Sequence, residues 1–170
     1  MDISQLILDD HWEQRRLFSL LEQIDSKDTD NLAAVWKRLS TFLEVHAETE
    51  EKIFYPALLR VGRRAGDKKG VEDETLDAIK DHNEIRDAVA AVAGKKIGSA
   101  GWLEAVAAAN EANGDHMAEE EREGLTDFRR QASLDLRHNL GVQFIAYETS
   151  HVSGVKPVDK DPKEWVENHG

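Results

Sequence analysis

The chain of 170 residues contains no cysteine. That absence excludes a disulfide framework, a thiolate metal site and a cysteine nucleophile. Proline is scarce, at three residues, so few positions obstruct a long helix. Positive charge is in deficit: 22 Lys and Arg stand against 34 Asp and Glu, a formal net charge of −12. Such a surface repels phosphate backbones and anionic headgroups, which argues against nucleic acid or a membrane as partner. No apolar run approaches the roughly 20 residues needed to span a bilayer. The N-terminus, MDISQLILDDHWEQRR, is acidic and lacks the basic n-region and long apolar core of a signal peptide. A single cytoplasmic domain with a sizeable core is expected, with a monomer favoured.

What the chain does have is helical periodicity. A first segment, about Asp2 to Ile24, carries Ile3, Leu6, Ile7, Leu17, Phe18, Leu21 and Ile24 at spacings of three and four, with His11 on the same side. Thr29 and Asp30 are candidate N-caps for a second segment, about Asn31 to Arg60. Its inner face reads Leu32, Val35, Leu39, Phe42, His46, Glu50, Ile53, Ala57, and Pro56 is expected to kink it near Phe54 and Tyr55. The stretch GRRAGDKKG reads as a long loop. A third segment, about Asp73 to Ala93, places His82 between Ile79 and Ile85. A fourth, about Trp102 to Arg130, aligns Trp102, Val106, Ala109, Asn113, His116 and Glu120, with a locally weak spot at Asn113-Gly114.

These spacings predict an all-α protein: an antiparallel up-down four-helix bundle over residues 1–130. An additional C-terminal helix is expected within 131–151, lying across the bundle, and a mobile tail over 152–170. No internal repeat stands out beyond the two His-x-x-x-Glu pairs.

Four of the seven histidines fall one per helix on the inward stripe, and Glu50 and Glu120 each follow one of them by four residues. Any one of them alone is more simply a satisfied core histidine or a marginal carboxylate. Together they would leave little apolar core at mid-bundle, and a buried unpaired carboxylate costs several kcal/mol. Metal binding resolves that cost, because neutral imidazoles and carboxylates are metal ligands and i, i+4 spacing lets one helix offer both. Competing motifs are weaker. The single Glu-x-x-His, Glu148 to His151, does not make a ferritin-like site, and neither a His-Glu-x-x-His motif nor a phosphate-binding Gly loop is present. Asp10, Asp81 and Asp115 each precede a histidine but do not share its face, so they are poor ligands to the same metal; a solvated position is expected for them, with a supporting role across helices as the alternative. Glu119, Glu121 and Glu123 are expected on a solvated acidic face, and Glu51, adjacent to Glu50, is expected to point away.

Four pieces, LILDDHWEQRRLF, HAETEEKIFYP, IKDHNEIRDA and HMAEEEREG, together resemble the hemerythrin-like (HHE, cation-binding) domain over about residues 1–130. That resemblance implies two non-haem Fe ions, an oxo- or hydroxo-bridged di-iron centre inside the bundle. It further implies His11, His46, His82 and His116 as nitrogen ligands and Glu50 and Glu120 as bridging carboxylates. The pattern departs from the oxygen carriers at Ala78, where those members have a second histidine. About two coordination positions are then left for water, substrate or another side chain, which disfavours simple oxygen carriage. Tyr55 or Tyr147 could supply a phenolate. Tyr55 is preferred, although an ideal helix turns it roughly 140° from Glu50. The expected function is redox or nitrosative defence on peroxide or nitric oxide, as a peroxidase- or catalase-like or nitric-oxide-consuming oxidoreductase, with O2, NO or H2O2 as ligand. The alternative is an oxygen- or iron-binding or sensing module without turnover.

Overall fold

The computed structural model describes residues 1–169, and every regular element among them is helical. In chain order these are α1 (Ile3–Gln23), α2 (Thr29–Thr49), a π-helical turn (Glu50–Phe54), α3 (Tyr55–Ala65), α4 (Lys68–Ala93), α5 (Ala100–Arg122), α6 (Gly124–Gln131), α7 (Leu134–Ser150) and α8 (Pro162–His169). Short polar side chains start most of them. Asp28, rather than Thr29 or Asp30, caps α2 by accepting from the Asn31 N–H. Asp67, Ser99 and Ser133 do the same for α4, α5 and α7, each satisfying a donor that the first turn cannot.

The expected loop GRRAGDKKG is almost absent. Helix α3 runs through Arg63 and Arg64 to Ala65, the left-handed Gly66 (φ 90°) closes it, and Asp67 opens α4 at once. The turn between α4 and α5 uses a second left-handed glycine, Gly98, where a Cβ would collide with the Ser26 carbonyl oxygen. The weak spot at Asn113-Gly114 is continuous helix; packing overrides local propensity there. The break in that segment falls instead at Glu123, between α5 and α6.

Helices α1, α2, α4 and α5 surround one centre, α1 against α2 and α5, and α4 against α5 and α2. Two apolar clusters fill it. One gathers Ile3, Ile7, Phe54, Leu58, Ile79 and Phe128; the other gathers Leu17, Phe18, Leu39, Val92, Trp102 and Val106. On every one of the four helices the inward histidine lies in sequence between residues of the two clusters. A polar layer therefore divides the core, and it includes a buried bond from Asn113 Nδ2 to Gln14 Oε1 at 2.9 Å.

Helix α7 lies against α1 and α2, burying Leu140 and Phe144. The mobile tail expected from residue 152 is not what forms. Helix α8 packs on α4 with Trp165 and Val166 buried, and Asn83 bonds to Lys160. Burial of these two apolar side chains offsets the ordering of a short segment whose single apolar pair is too brief to show a periodic stripe. Among the described residues no helix is long and apolar enough to cross a membrane.

Candidate metal centre

The polar layer is built from one imidazole per helix, His11 on α1, His46 on α2, His82 on α4 and His116 on α5, with Glu50 and Glu120. All six side chains are buried. The Nε2 atoms point inward. His46 Nε2 lies 3.0 Å from Glu50 Oε1, and His82 Nε2 lies 3.3 Å from Glu50 Oε2. His11 Nε2 lies 3.3 Å from Glu120 Oε2, and the Nε2 atoms of His82 and His116 face each other at 3.1 Å. Glu50 is thereby shared by two triads, His11–His46–Glu50 and Glu50–His82–His116.

His11 Nε2, His46 Nε2, both oxygens of Glu50 and Glu120 Oε2 are buried and meet one another as close contacts, but none of them is in hydrogen-bond geometry among the described residues. Buried polar atoms are rarely left unpaired, and each unpaired one costs roughly 1–3 kcal/mol. Five such atoms of metal-ligand type in one buried layer fit a cation site.

Tyr55 joins this layer. It is 1% exposed and donates its hydroxyl to Glu120 Oε1 at 2.8 Å. The kink expected from Pro56 is replaced by the π turn. The Tyr55 N–H bonds to the Glu50 carbonyl, an i to i+5 pairing that widens the turn by one residue and swings Tyr55 onto the Glu50 side. Pro56 sits in the first turn of α3, where its missing N–H costs little. Tyr147 goes elsewhere: its hydroxyl donates to Glu48 at 2.8 Å and its ring stacks on His151. Beside Tyr55, a cavity of about 40 Å³ is lined by Ala78, His116, Glu120 and Glu74.

Each imidazole has a carboxylate of a neighbouring element behind it, hydrogen-bonded in three of the four cases. His11 Nδ1 meets Glu121 Oε1 at 3.0 Å, His46 Nδ1 meets Asp10 Oδ2 at 3.1 Å, and His82 Nδ1 meets Glu51 Oε1 at 2.9 Å. His116 Nδ1 lies 3.4 Å from Asp81 Oδ2. A donated Nδ1–H fixes the tautomer and leaves the Nε2 lone pair for a metal. The four pairings close a ring around the bundle. Helix α1 leans on α5, α5 on α4, α4 on the π turn and α2 on α1.

For Asp10 and Asp81 the alternative of a role across helices, not the solvated position, is what forms, and the same pairings correct the expectations that Glu121 is solvated and that Glu51 points away. Adjacent residues on one helix cannot serve one metal, but Asp10 serves the histidine of the next helix while His11 faces inward. The sequence carried a signal for this. Asp10–Arg15 reads DHWEQR and Asp81–Arg86 reads DHNEIR, while HAETEE from His46 and HMAEEE from His116 share H-x-x-x-E-E. The chain thus presents D-H-x-E-x-R followed by H-x-x-x-E-E, twice. The arginines complete the pattern: Arg15 reaches Glu121 Oε1 at 2.7 Å and Arg86 reaches Glu51 Oε1 at 3.0 Å.

The charge balance is consistent with a cation. Burial alone would lower the His82 imidazolium, but Glu50 and Glu51 outweigh it and raise it to about 9. His46 is likewise lowered by burial yet held well above the ordinary value by Glu50 and Asp10. Burial raises Glu51, but His82, Arg86 and Lys160 bring it down to about 2. These carboxylates demand positive charge; protons on the imidazoles can supply it, and a metal ion would do so with the imidazoles neutral.

A family model described as Hemerythrin HHE cation binding domain matches residues 2–125, which span the six inward side chains and Tyr55. No curated protein and no solved structure matches the chain.

Proposed function

The chain belongs to the hemerythrin HHE cation-binding domain family, and on that basis we propose that it is a non-haem di-iron protein acting on peroxide, nitric oxide or both. The observation that carries this reading is the pair of buried histidine triads that share the Glu50 carboxylate, with five ligand-type atoms of this layer, both Glu50 oxygens among them, outside hydrogen-bond geometry. His11 and His46 would hold one iron and His82 and His116 the other, with Glu50 and Glu120 between them in an up-down antiparallel bundle. Bound iron would supply the redox chemistry and the positions for a diatomic or peroxide ligand.

The protein's own contributions follow from its residues. Glu121, Asp10 and Glu51 fix the tautomers of His11, His46 and His82, and Asp81 lies behind His116. Tyr55 stands on the side of Ala78, where the oxygen carriers have a further histidine, and either donates a proton there or offers a phenolate oxygen. The adjoining cavity of about 40 Å³ supports a very small substrate. A water needs roughly 10–15 Å³ of such space, so a diatomic or a peroxide has room there.

The test is turnover. Iron-loaded protein is expected to evolve gas from peroxide or to consume nitric oxide in a peroxide-dependent way. A fully iron-loaded protein that does neither is a binding or sensing module, and the oxidoreductase reading is then wrong.

A further inference from the structure

The two halves of the repeat differ behind one histidine. Glu121 accepts from His11 and Arg15, and its side chain is 29% exposed. Glu51, its counterpart, is 1% exposed and accepts from His82 and Arg86 at Oε1 and, in addition, from Lys160 at Oε2. Lys160 lies outside the helices that carry the repeat, in the segment between α7 and α8.

Its placement is enforced by the backbone. Asn83, next to His82 on α4, grips Lys160 by both main-chain groups: its Nδ2 donates to the Lys160 carbonyl at 2.7 Å, and its Oδ1 accepts from the Lys160 N–H at 3.0 Å. Beyond this clamp, α8 sets Trp165 edge-on to Tyr55, with ring centres 6.4 Å apart. The C-terminal segment therefore reaches the site at two points, His82 through Glu51 and Tyr55 through Trp165.

We propose that Lys160 is a positioning residue of the metal centre: carried by the C-terminal strap, it pins the Glu51 carboxylate that aims His82 Nε2 at its metal. The proposal rests on the di-metal reading. With Oε2 held by Lys160, only Oε1 is available to His82 Nδ1, and the carboxylate plane is fixed. Without Lys160 the buried Oε2 loses its partner, and rotation of the carboxylate would exchange the oxygen that orients the ring. Arg86 remains to balance the charge of Glu51, so loss of the lysine does not leave that carboxylate without a cation.

The experiment compares iron-loaded wild type, Lys160→Met, Lys160→Arg and Asn83→Ala, all in the full chain. It reads the rate of iron extraction by a chelator, the visible spectrum, and folding by circular dichroism. Loss of a group that orients a ligand typically weakens metal binding about 10- to 100-fold. Lys160→Met is expected to stay folded, to release iron about 10-fold faster and to shift the spectrum, with Lys160→Arg restoring both. Asn83→Ala, which frees the strap but keeps the lysine, moves the rate in the same direction. A strap with only a structural role would lower the melting temperature of Lys160→Met while leaving release rate and spectrum at wild-type values, and that result overturns the proposal. If Lys160→Met does not fold, Asn83→Ala carries the test, and wild-type release from it is the overturning result. A wild type that takes up no metal instead overturns the di-metal reading itself.

Discussion

Tyr55 donates its hydroxyl to Glu120 across the bundle at 2.8 Å, and it can do so because Glu50–Phe54 is a π turn. Burial, and after it the charges of Glu120 and Glu50, hold the Tyr55 phenol well above its ordinary value. The hydroxyl therefore keeps its proton on the protein alone, and only a metal cation at this position would favour the phenolate. Iron-loaded protein is expected to show a visible phenolate-to-iron charge-transfer band that vanishes in Tyr55→Phe and survives in Tyr147→Phe. A band that persists in Tyr55→Phe rules Tyr55 out as the ligand.

Asp10 and Asp115 make a matched pair for a second prediction. Both precede an inward histidine, but Asp10 accepts from His46 on the neighbouring helix while Asp115 is exposed. Asp10→Asn is expected to weaken metal binding about 10- to 100-fold in competition with a chromophoric chelator. Asp115→Asn is expected to change nothing. Equal effects would mean that the imidazole tautomers are not set by this ring of carboxylates.

Glu74 supplies a pH dependence. Burial, then the charges of Asp127, Glu123 and Glu120, push its carboxyl up to about 8 from an ordinary 4.5. The folded state then holds a proton that the unfolded state has released, so stability falls as pH rises between those values and levels off above about 8. Glu74→Gln removes this contribution. Thermal melts are expected to show the wild-type melting temperature dropping from about pH 5 to about pH 8 by more than that of Glu74→Gln. Parallel declines would contradict the assignment.

Gly98 tests the frame. Its φ of 75° and the closeness of the Ser26 carbonyl oxygen to where a Cβ would stand leave no room for a side chain. Gly98→Ala is expected to cost more than about 1 kcal/mol in denaturant melts, beyond the usual penalty of an unfavourable backbone alone. An unchanged midpoint would show that the α4–α5 turn adapts freely.

Much of this was legible in the sequence because helices announce themselves by period. His11, His46, His82 and His116 interrupt apolar stripes, and the structure brings them together in one layer with Glu50 and Glu120. Three things were not legible. Glu51 and Glu121 show no role at the site when only their own helix is considered, since their partners lie on other elements. The swing of Tyr55 depends on one extra residue in a turn, which a 3.6-residue period cannot represent. The docking of the tail depends on Trp165, Val166 and the Asn83 clamp, which are too few for a stripe.

The most direct measurement is elemental analysis of the protein expressed with ample iron, beside its Glu50→Ala variant. The shared position of Glu50 between the two triads predicts about two irons per chain in the wild type and loss of most of that iron in the variant. Well under two irons in the wild type, or near-normal iron in Glu50→Ala, would contradict a bridged di-iron centre.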